Sequence, residues 1–533
     1  MKFYRPLLIV ALLSFALIQY SHAVKYSGLY TFGDSLSSDG DNAITPGLVW
    51  PQYLADSILQ PGAIYNDYAV PGARVEEVLD TVKQYLSDSV KADPNAIYAL
   101  WAGTNNGSTG SSGNIAEAAS LLSAAGAKNI LVLNLHPNPR RSTGFLIGYN
   151  TAMRNRLNTL SANVIQVDTF SLFNELYADP TVYGFANATA VLSDALHFPT
   201  QTHEIVSDYI VSVMEAPSLI SLLPEIVLPS VREHQTAVLN HLGSLKGNSQ
   251  ENSFIPWVSY VSGTGDGEEG SLTSAFDHDV TGFLGGVDFQ WTENLIVGLD
   301  FEKNQTQGDF TNRGQYDLDT TLTSFSALFS FGKFFTQGML TKGSLSFNEV
   351  LRTIPLGIAT RSMKGTPSGD ITALNLNFGM ELLQADKDKP WTLGPIVSLS
   401  QQTVTIDGYV EDDIAASTSM NFEEQERESF LASGGLSASY DTETSLGAMR
   451  AYTHLFFEKE LEDSPRTIRG GVNTLSGSSF SMPGVEPESQ ATRLGVGLQT
   501  NLLHGITGQI SFEFRNGDSS SDKTIRIEVR KIF

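Results

Sequence analysis

Cysteine is absent from the 533 residues. That excludes disulfides, thiolate metal sites and a lipid-modified N-terminal cysteine. Basic residues are scarce, 33 against 58 acidic ones, and the formal net charge is -25. Such a surface repels phosphates, so no nucleic-acid partner is expected; it suits a soluble or outward-facing surface that resists self-association. No apolar run beyond the first twenty residues reads as a spanning helix, which needs about 20 residues. The G-x-S-x-G elbow of ordinary α/β-hydrolases is missing. His203 and Glu204 in "HEIVSDYI" are adjacent and lack the H-E-x-x-H spacing of a zinc site, so neither metal nor cofactor is expected. What is present is 41% hydrophobic residues, enough for sizeable cores in a chain long enough for more than one domain.

Lys2 and Arg5 precede the twelve-residue apolar run "LLIVALLSFALI" (Leu7 to Ile18), and Ser21 and Ala23 sit at A-x-A-like positions after it. This is the pattern of a secretory signal cut after Ala23; twelve residues are short for a membrane anchor.

Residues 24–222 read as strands alternating with helices. "AIYALWAG" (Ala96 to Gly103) and "NILVLNL" (Asn129 to Leu135) are continuous apolar runs suited to strands buried on both faces. "NIAEAASLLSAAGA" between them and "GYNTAMRNRLNTL" after them have helical spacing. The alternation predicts an α/β sandwich on a mostly parallel sheet, with a core of its own. Pro217, Pro224 and Pro229 mark a boundary, and Ser230 with Glu233 three residues on predicts a capped, isolated helix. Residues 223–248 are assigned to this linker helix.

From residue 249 the period becomes two. Phe283, Val287, Phe289 and Trp291 alternate with Asp288 and Gln290; Phe512 and Phe514 alternate with Ser511 and Glu513. The chain ends on "TIRIEVRKIF", where Ile525, Ile527, Val529 and Phe533 share a face. Alternating segments joined by alternately short and long polar connections predict a transmembrane antiparallel β-barrel of about 12 strands over residues 249–533. The rival is a soluble sandwich with one wet face.

The chemistry concentrates in the first half. Ser35 stands in "FGDSLSSDGDN" after an apolar run; Gly72 in "DYAVPGAR" and Asn105 in "WAGTNNG" follow; "LSDALHFPT" puts Asp194 three residues before His197. Acyl transfer needs a hydroxyl nucleophile, a base within reach and a group that orients the base. Ser35, His197 and Asp194 can supply these, with the last two on one face of a helical turn. The oxyanion needs donors, which the backbone N–H groups of Ser35 and Gly72 and the amide of Asn105 can supply. Each residue alone has a plainer reading: Ser35, Gly72 and Asn105 as turn residues, Asp194 as a helix cap, His197 as a structural histidine. His203 is the rival base, but it lacks a carboxylate at i−3.

The four blocks resemble those of the GDSL lipase/esterase family, the SGNH hydrolases, whose serine, glycine, asparagine and histidine match Ser35, Gly72, Asn105 and His197. "LFNELYADPTVYGFAN" (Leu172 to Asn187) is also similar to family text, and the resemblance spans residues 26–212. It implies a three-layer α/β/α fold and hydrolysis of carboxylic esters. Departures are Asn106 where an aspartate is common, one extra residue in the first block, and "HFPT" for "HPT". The second half resembles the translocator barrel of autotransporters, which places the linker helix in the lumen, where Arg232, Glu233 and Asn240 would meet a polar interior.

Together the resemblances imply an outer-membrane esterase or lipase of a Gram-negative bacterium. It would be exported through the periplasm and display its hydrolase on the cell surface. Its partners would be ester or lipid substrates, outer-membrane lipid and the barrel-assembly machinery. Two alternatives share the sequence: a phospholipase, lysophospholipase or acyltransferase using the same site, and a pore or adhesin with an inactive hydrolase domain.

Overall fold

The computed structural model describes residues 26–533 apart from 41–43, 89–90, 247–250, 270–273, 386–389, 445–446 and 503–504. The expected signal segment, residues 1–23, lies outside the described residues.

The first half is built on a five-stranded sheet in the order β2-β1-β3-β4-β5. Its strands are β1 (Tyr26–Gly33), β2 (Leu59–Asp67), β3 (Ala96–Trp101), β4 (Asn129–Leu133) and β5 (Val164–Val167), and every pairing is parallel. Side chains alternate between two cores. Leu29, Ile97 and Leu131 face α1 (Trp50–Ile58), α5 (Thr169–Ala178) and α6 (Thr200–Ile220). Tyr30, Tyr98 and Val132 face α2 (Val75–Asp88), α3 (Gly113–Ala124) and α4 (Thr143–Leu157). Period two on a sheet covered on both sides gives the continuous apolar runs of β3 and β4 and the three layers.

The junction differs from the sequence reading. Helix α6 is followed after Ser221 by α7 (Leu222–Leu245), and the stretch Thr200–Leu245 is helical over 46 residues. Pro217 and Pro229 lie inside these helices, and Ser230 is an interior residue, so the capping box expected there is not formed. Pro224 falls in the first turn of α7, where a missing N–H costs little. Packing overrides the other two prolines: most residues of both helices are buried. This stretch is also apolar enough to cross a membrane by length and composition. The expectation that no such run exists is therefore corrected; here the apolar surface is covered by protein.

The second half is a closed barrel of twelve antiparallel strands. It begins with β6 (Ser253–Gly267), β7 (Phe276–Thr292), β8 (Leu295–Phe310), β9 (Gly314–Phe331) and β10 (Phe334–Leu356). A side strand, β11 (Ala359–Gly365), pairs back on β10 as a hairpin. The final strand, Ser520–Lys531, pairs with β6 and closes the ring. Strands run from 12 to 23 residues, longer than the ~9–11 that cross a bilayer.

The two faces decide between barrel and sandwich. Phe283, Phe301 and Phe457 are 64%, 52% and 65% exposed on the outside, while Asp288, Glu302 and Glu528 are buried inside. A soluble sandwich would bury the aromatics; an apolar exterior over a polar interior is the arrangement for lipid. Helix α7 occupies the lumen. His234 bridges Glu302 and Ser324, and His241, two helical turns on, bridges Asp288 and Glu528 at 2.7 Å each. Glu233 pairs with Arg526, whereas Arg232 and Asn240 line small polar lumen cavities.

The barrel's long loops meet the hydrolase half. Tyr409–Val410, Met420–Phe422, Thr467–Val472 and Phe480–Pro483 form a small sheet. Tyr209 donates to the Ser417 carbonyl at 2.7 Å, and Ser218 to the Pro483 carbonyl at 2.9 Å. One apolar cluster runs from Tyr209 and Met214 through Phe310, Phe347, Met420 and Phe480. The first half does not have a wholly separate core, as its sequence suggested; the α6 side of its sheet is completed by the barrel's outer end.

Candidate active site

In a parallel α/β sheet, ligands bind beyond the carboxyl ends of the strands. Ser35 follows β1, and Gly103 to Asn106 follow β3, at that edge. Ser35 Oγ lies 2.9 Å from His197 Nε2, and His197 Nδ1 lies 2.7 Å from Asp194 Oδ2. The structure thus brings Ser35 and the sequence-distant pair Asp194 and His197 into one hydrogen-bonded row.

Asp194 and His197 do not sit on a helical turn, as their spacing suggested. Asp194 Oδ1 accepts the N–H groups of Leu196 and His197, at 2.6 and 2.8 Å, and its other oxygen faces the imidazole. A short aspartate side chain folds the backbone onto itself in this way. Ser193 N–H closes the loop on the His197 carbonyl at 2.7 Å. Burial alone would raise the Asp194 carboxyl, but the hydrogen bonds from His197 and the two N–H groups outweigh it and hold the group down at about 2.

The proposed oxyanion donors converge on the same edge. Gly72 has φ +81, a backbone state that favours glycine, in a turn closed by Ala73 N–H on the Val70 carbonyl. Among the described residues, the N–H groups of Ser35 and Gly72 have no protein acceptor. Asn105 is half-buried, and its amide donates to the Ala73 carbonyl at 3.0 Å and to Asp34 Oδ2 at 3.3 Å. The second bond is long enough to be shared with an incoming anion.

Two further residues support this edge. Asp34 is buried, accepts the Leu36 N–H at 3.1 Å and touches Asn105; burial pushes its carboxyl up to about 7 against that hydrogen bond. Its signal was its place beside Ser35, but no spacing rule marked it. Asn106 Oδ1 accepts the first N–H of α2, Val75, at 3.0 Å, and its amide donates to Glu76 at 2.8 Å. The oxygen keeps the acceptor an aspartate would offer, and the amide makes use of Glu76, so the departure at this position leaves the helix start held.

His203 lies elsewhere. Its Nδ1 accepts the Trp50 N–H and its Nε2 faces Thr45 Oγ1, each at 3.2 Å. Burial and the neighbouring His197 push it down to about 3. His136, which the sequence did not single out, is buried with its ring 4.8 Å from that of Phe198, and burial lowers it to about 3. No group of three or more potential metal ligands occurs among the described residues.

The comparisons bear on both halves. Residues 29–210 match the family of GDSL-like lipases/acylhydrolases, and residues 256–513 match the autotransporter β-domain. The chain joins a GDSL lipase/acylhydrolase domain to an autotransporter barrel. It is similar to Esterase EstA of Pseudomonas aeruginosa, 24% identical over 544 aligned residues that take in 87% of this chain and 82% of that one. It is also similar to Lipase 1 of Photorhabdus luminescens, 23% identical across 60% of this chain and 50% of that protein. Among solved structures, the translocator domain of NalP from Neisseria meningitidis covers 58% of the chain at 11% identity, with a TM-score of 0.45. The autotransporter is an ester hydrolase of the esterase/lipase type, with its barrel in the bacterial outer membrane and its hydrolase domain on the cell surface.

Proposed function

We propose that the autotransporter hydrolyses carboxylic esters of aliphatic acids through an acyl-Ser35 intermediate. The observation that carries this reading is the row Ser35–His197–Asp194, at 2.9 and 2.7 Å, beside two unengaged N–H groups. His197 Nε2 takes the Ser35 proton as Oγ attacks the ester carbonyl. The N–H groups of Ser35 and Gly72, with the Asn105 amide, receive the negative charge on the carbonyl oxygen. Asp194 keeps Nδ1–H toward itself and stabilises the imidazolium; held at about 2, it stays ionised at neutral pH. The imidazolium returns its proton to the departing alcohol oxygen. Water then attacks the acyl-serine, His197 takes its proton, and Oγ leaves with that proton to regenerate Ser35 and release the acid.

The rim favours an acyl chain. Val70, in the turn that carries Gly72, is exposed, as are Ile44 and Leu48 on the segment whose Thr45 bonds the Phe198 carbonyl. Exposed aliphatic side chains beside a polar site suit short- to medium-chain or lipid esters. A pore with an inactive hydrolase is disfavoured by α7 in the lumen and by the complete catalytic row. The barrel-assembly machinery is included as the partner for insertion. The test is a fluorophosphonate on intact cells with an ester panel: Ser35 should be labelled and esters cleaved, both lost in Ser35→Ala. An unlabelled Ser35 in a displayed, folded protein would overturn the reading.

A further inference from the structure

We infer that the barrel hairpin β10–β11 positions the acid–base loop of the hydrolase, with Arg361 as the positioning residue. This rests on the catalytic reading of Ser35, His197 and Asp194 given above.

The nucleophile and its base are held by different parts of the molecule. Ser35 is fixed by the central sheet through β1. Asp194 and His197 lie on an irregular segment between α5 and α6, tied within itself by Ser193 to the His197 carbonyl and by Thr202 to the Val191 carbonyl. The hairpin grips this segment from both sides. Upstream, one Arg361 guanidinium donates to Glu175 at 2.8 Å and to the Tyr183 hydroxyl at 2.5 Å. Ile358 at the tip lies against Gly184, where its Cδ1 leaves no room for a β-carbon. Downstream, the Gly357 N–H donates to Asp208 on α6 at 2.7 Å.

The contact reaches the base in few steps. The Tyr183 carbonyl accepts the Gln201 amide at 2.7 Å, and Gln201 stands four residues after His197 in the first turn of α6. The Tyr183 ring is buried in the cluster that contains Phe185, Leu196 and Phe198, the last two flanking His197. Glu175 is held again by a second barrel loop, through the N–H and hydroxyl of Ser417 at 2.6 and 2.8 Å. A bidentate cation bridging an acid and a phenol fixes direction as well as distance. Nothing in the hydrolase half duplicates it among the described contacts of Tyr183. The Ser35–His197 distance is thus set partly by the barrel, and the hydrolase reaches its full rate once seated on it. A chain in transit, before its barrel closes, would turn over lipid slowly.

The experiment uses the full chain in the outer membrane. Arg361→Ala is compared with Tyr183→Phe, which removes only the hydroxyl that Arg361 reaches. Barrel folding is read by heat-modifiable migration, and seating by protease resistance of the hydrolase half. With both intact, kcat should fall about tenfold in Arg361→Ala and about threefold in Tyr183→Phe, against the ~10²-fold that a 1 Å misplacement can cost. KM should stay within about twofold, since substrate contacts are untouched. The rate of fluorophosphonate labelling at Ser35 should fall in the same proportion as kcat. A seated variant with unchanged kcat and labelling, or with KM raised alone, would overturn the inference. If Arg361→Ala is not displayed, Tyr183→Phe decides by the same criteria. Failure of the wild type to label would instead overturn the nucleophile assignment on which the inference rests.

Discussion

His203 Nδ1 accepts the backbone N–H of Trp50, at the start of α1, while its Nε2 faces Thr45 Oγ1, which donates to the carbonyl of Phe198. Six residues before it, His197 faces Ser35. One histidine braces the backbone next to the other. His197→Ala should therefore abolish ester hydrolysis with the fold kept. His203→Ala should lower activity only modestly but destabilise the domain by about 1–3 kcal/mol, the cost of leaving a buried N–H unpaired. Steady-state rates and denaturant midpoints of the two variants check this; a more severe loss of kcat in a folded His203→Ala protein would reverse the assignment.

Asn105 is poised differently from the backbone donors, because both its amide protons already have acceptors, Ala73 and Asp34. A transition-state anion must draw on the longer of the two bonds. Asn105→Ala should still lower kcat by ~10²–10³, or ~2.7–4 kcal/mol, as for other single oxyanion donors. A folded variant losing less than about threefold would leave the oxyanion to Ser35 and Gly72 alone.

Asp34 makes stability depend on pH in an unusual direction. Burial raises its carboxyl from 3.8 to about 7. Between those values the unfolded chain has released the proton and the folded chain still holds it, so rising pH favours unfolding. The loss is complete above about 7 and absent below 3.8. Asp34→Asn should then stabilise the hydrolase half at pH 8 by up to ~4 kcal/mol, at 1.36 kcal/mol per pKa unit, and change little near pH 4. The buried Trp50 and Trp101 report unfolding by fluorescence. Equal effects of the substitution at both pH values would contradict the assignment.

Much of this was legible from the chain. Continuous apolar runs marked β3 and β4, because a strand covered on both faces leaves no polar position. Alternation at Phe283 and Asp288 marked a barrel strand, but not which face was outside; the exposure of Phe283 and burial of Asp288 in the closed barrel supply that. Pro217, Pro224 and Pro229 misled, since local propensity reads them as breaks while the helix they interrupt is enclosed by sheet and barrel. Asp194 and His197 were paired by spacing, yet their geometry depends on side-chain to backbone bonds that spacing does not encode. Arg361 and Glu175 are 186 residues apart, and no local signal joins them.

The last strand tests how the halves depend on each other. Residues Ser520–Lys531 pair with β6 on one side and with the strand Ile506–Gly517 on the other. Deleting Thr524 to Phe533 would strip both neighbours of partners within the hydrocarbon, where each unsatisfied backbone group costs several kcal/mol. Insertion and surface activity should be lost, as read by protease-accessible hydrolase on intact cells; normal display would contradict closure through this strand. Residues 24–222 expressed alone face a different difficulty. Their sheet, Ser35 and His197 are all present, but Tyr209, Met214 and Ile220 on α6 would lose the loops and strands that bury them. The fragment should bind a fluorophosphonate at Ser35, yet more slowly than the full chain by about tenfold, the smaller part of what a 1 Å misplacement costs. It should also expose an apolar face that binds a hydrophobic dye. A fragment as active as the seated domain, and as resistant to protease, would mean that the shared core stabilises the whole without shaping its site.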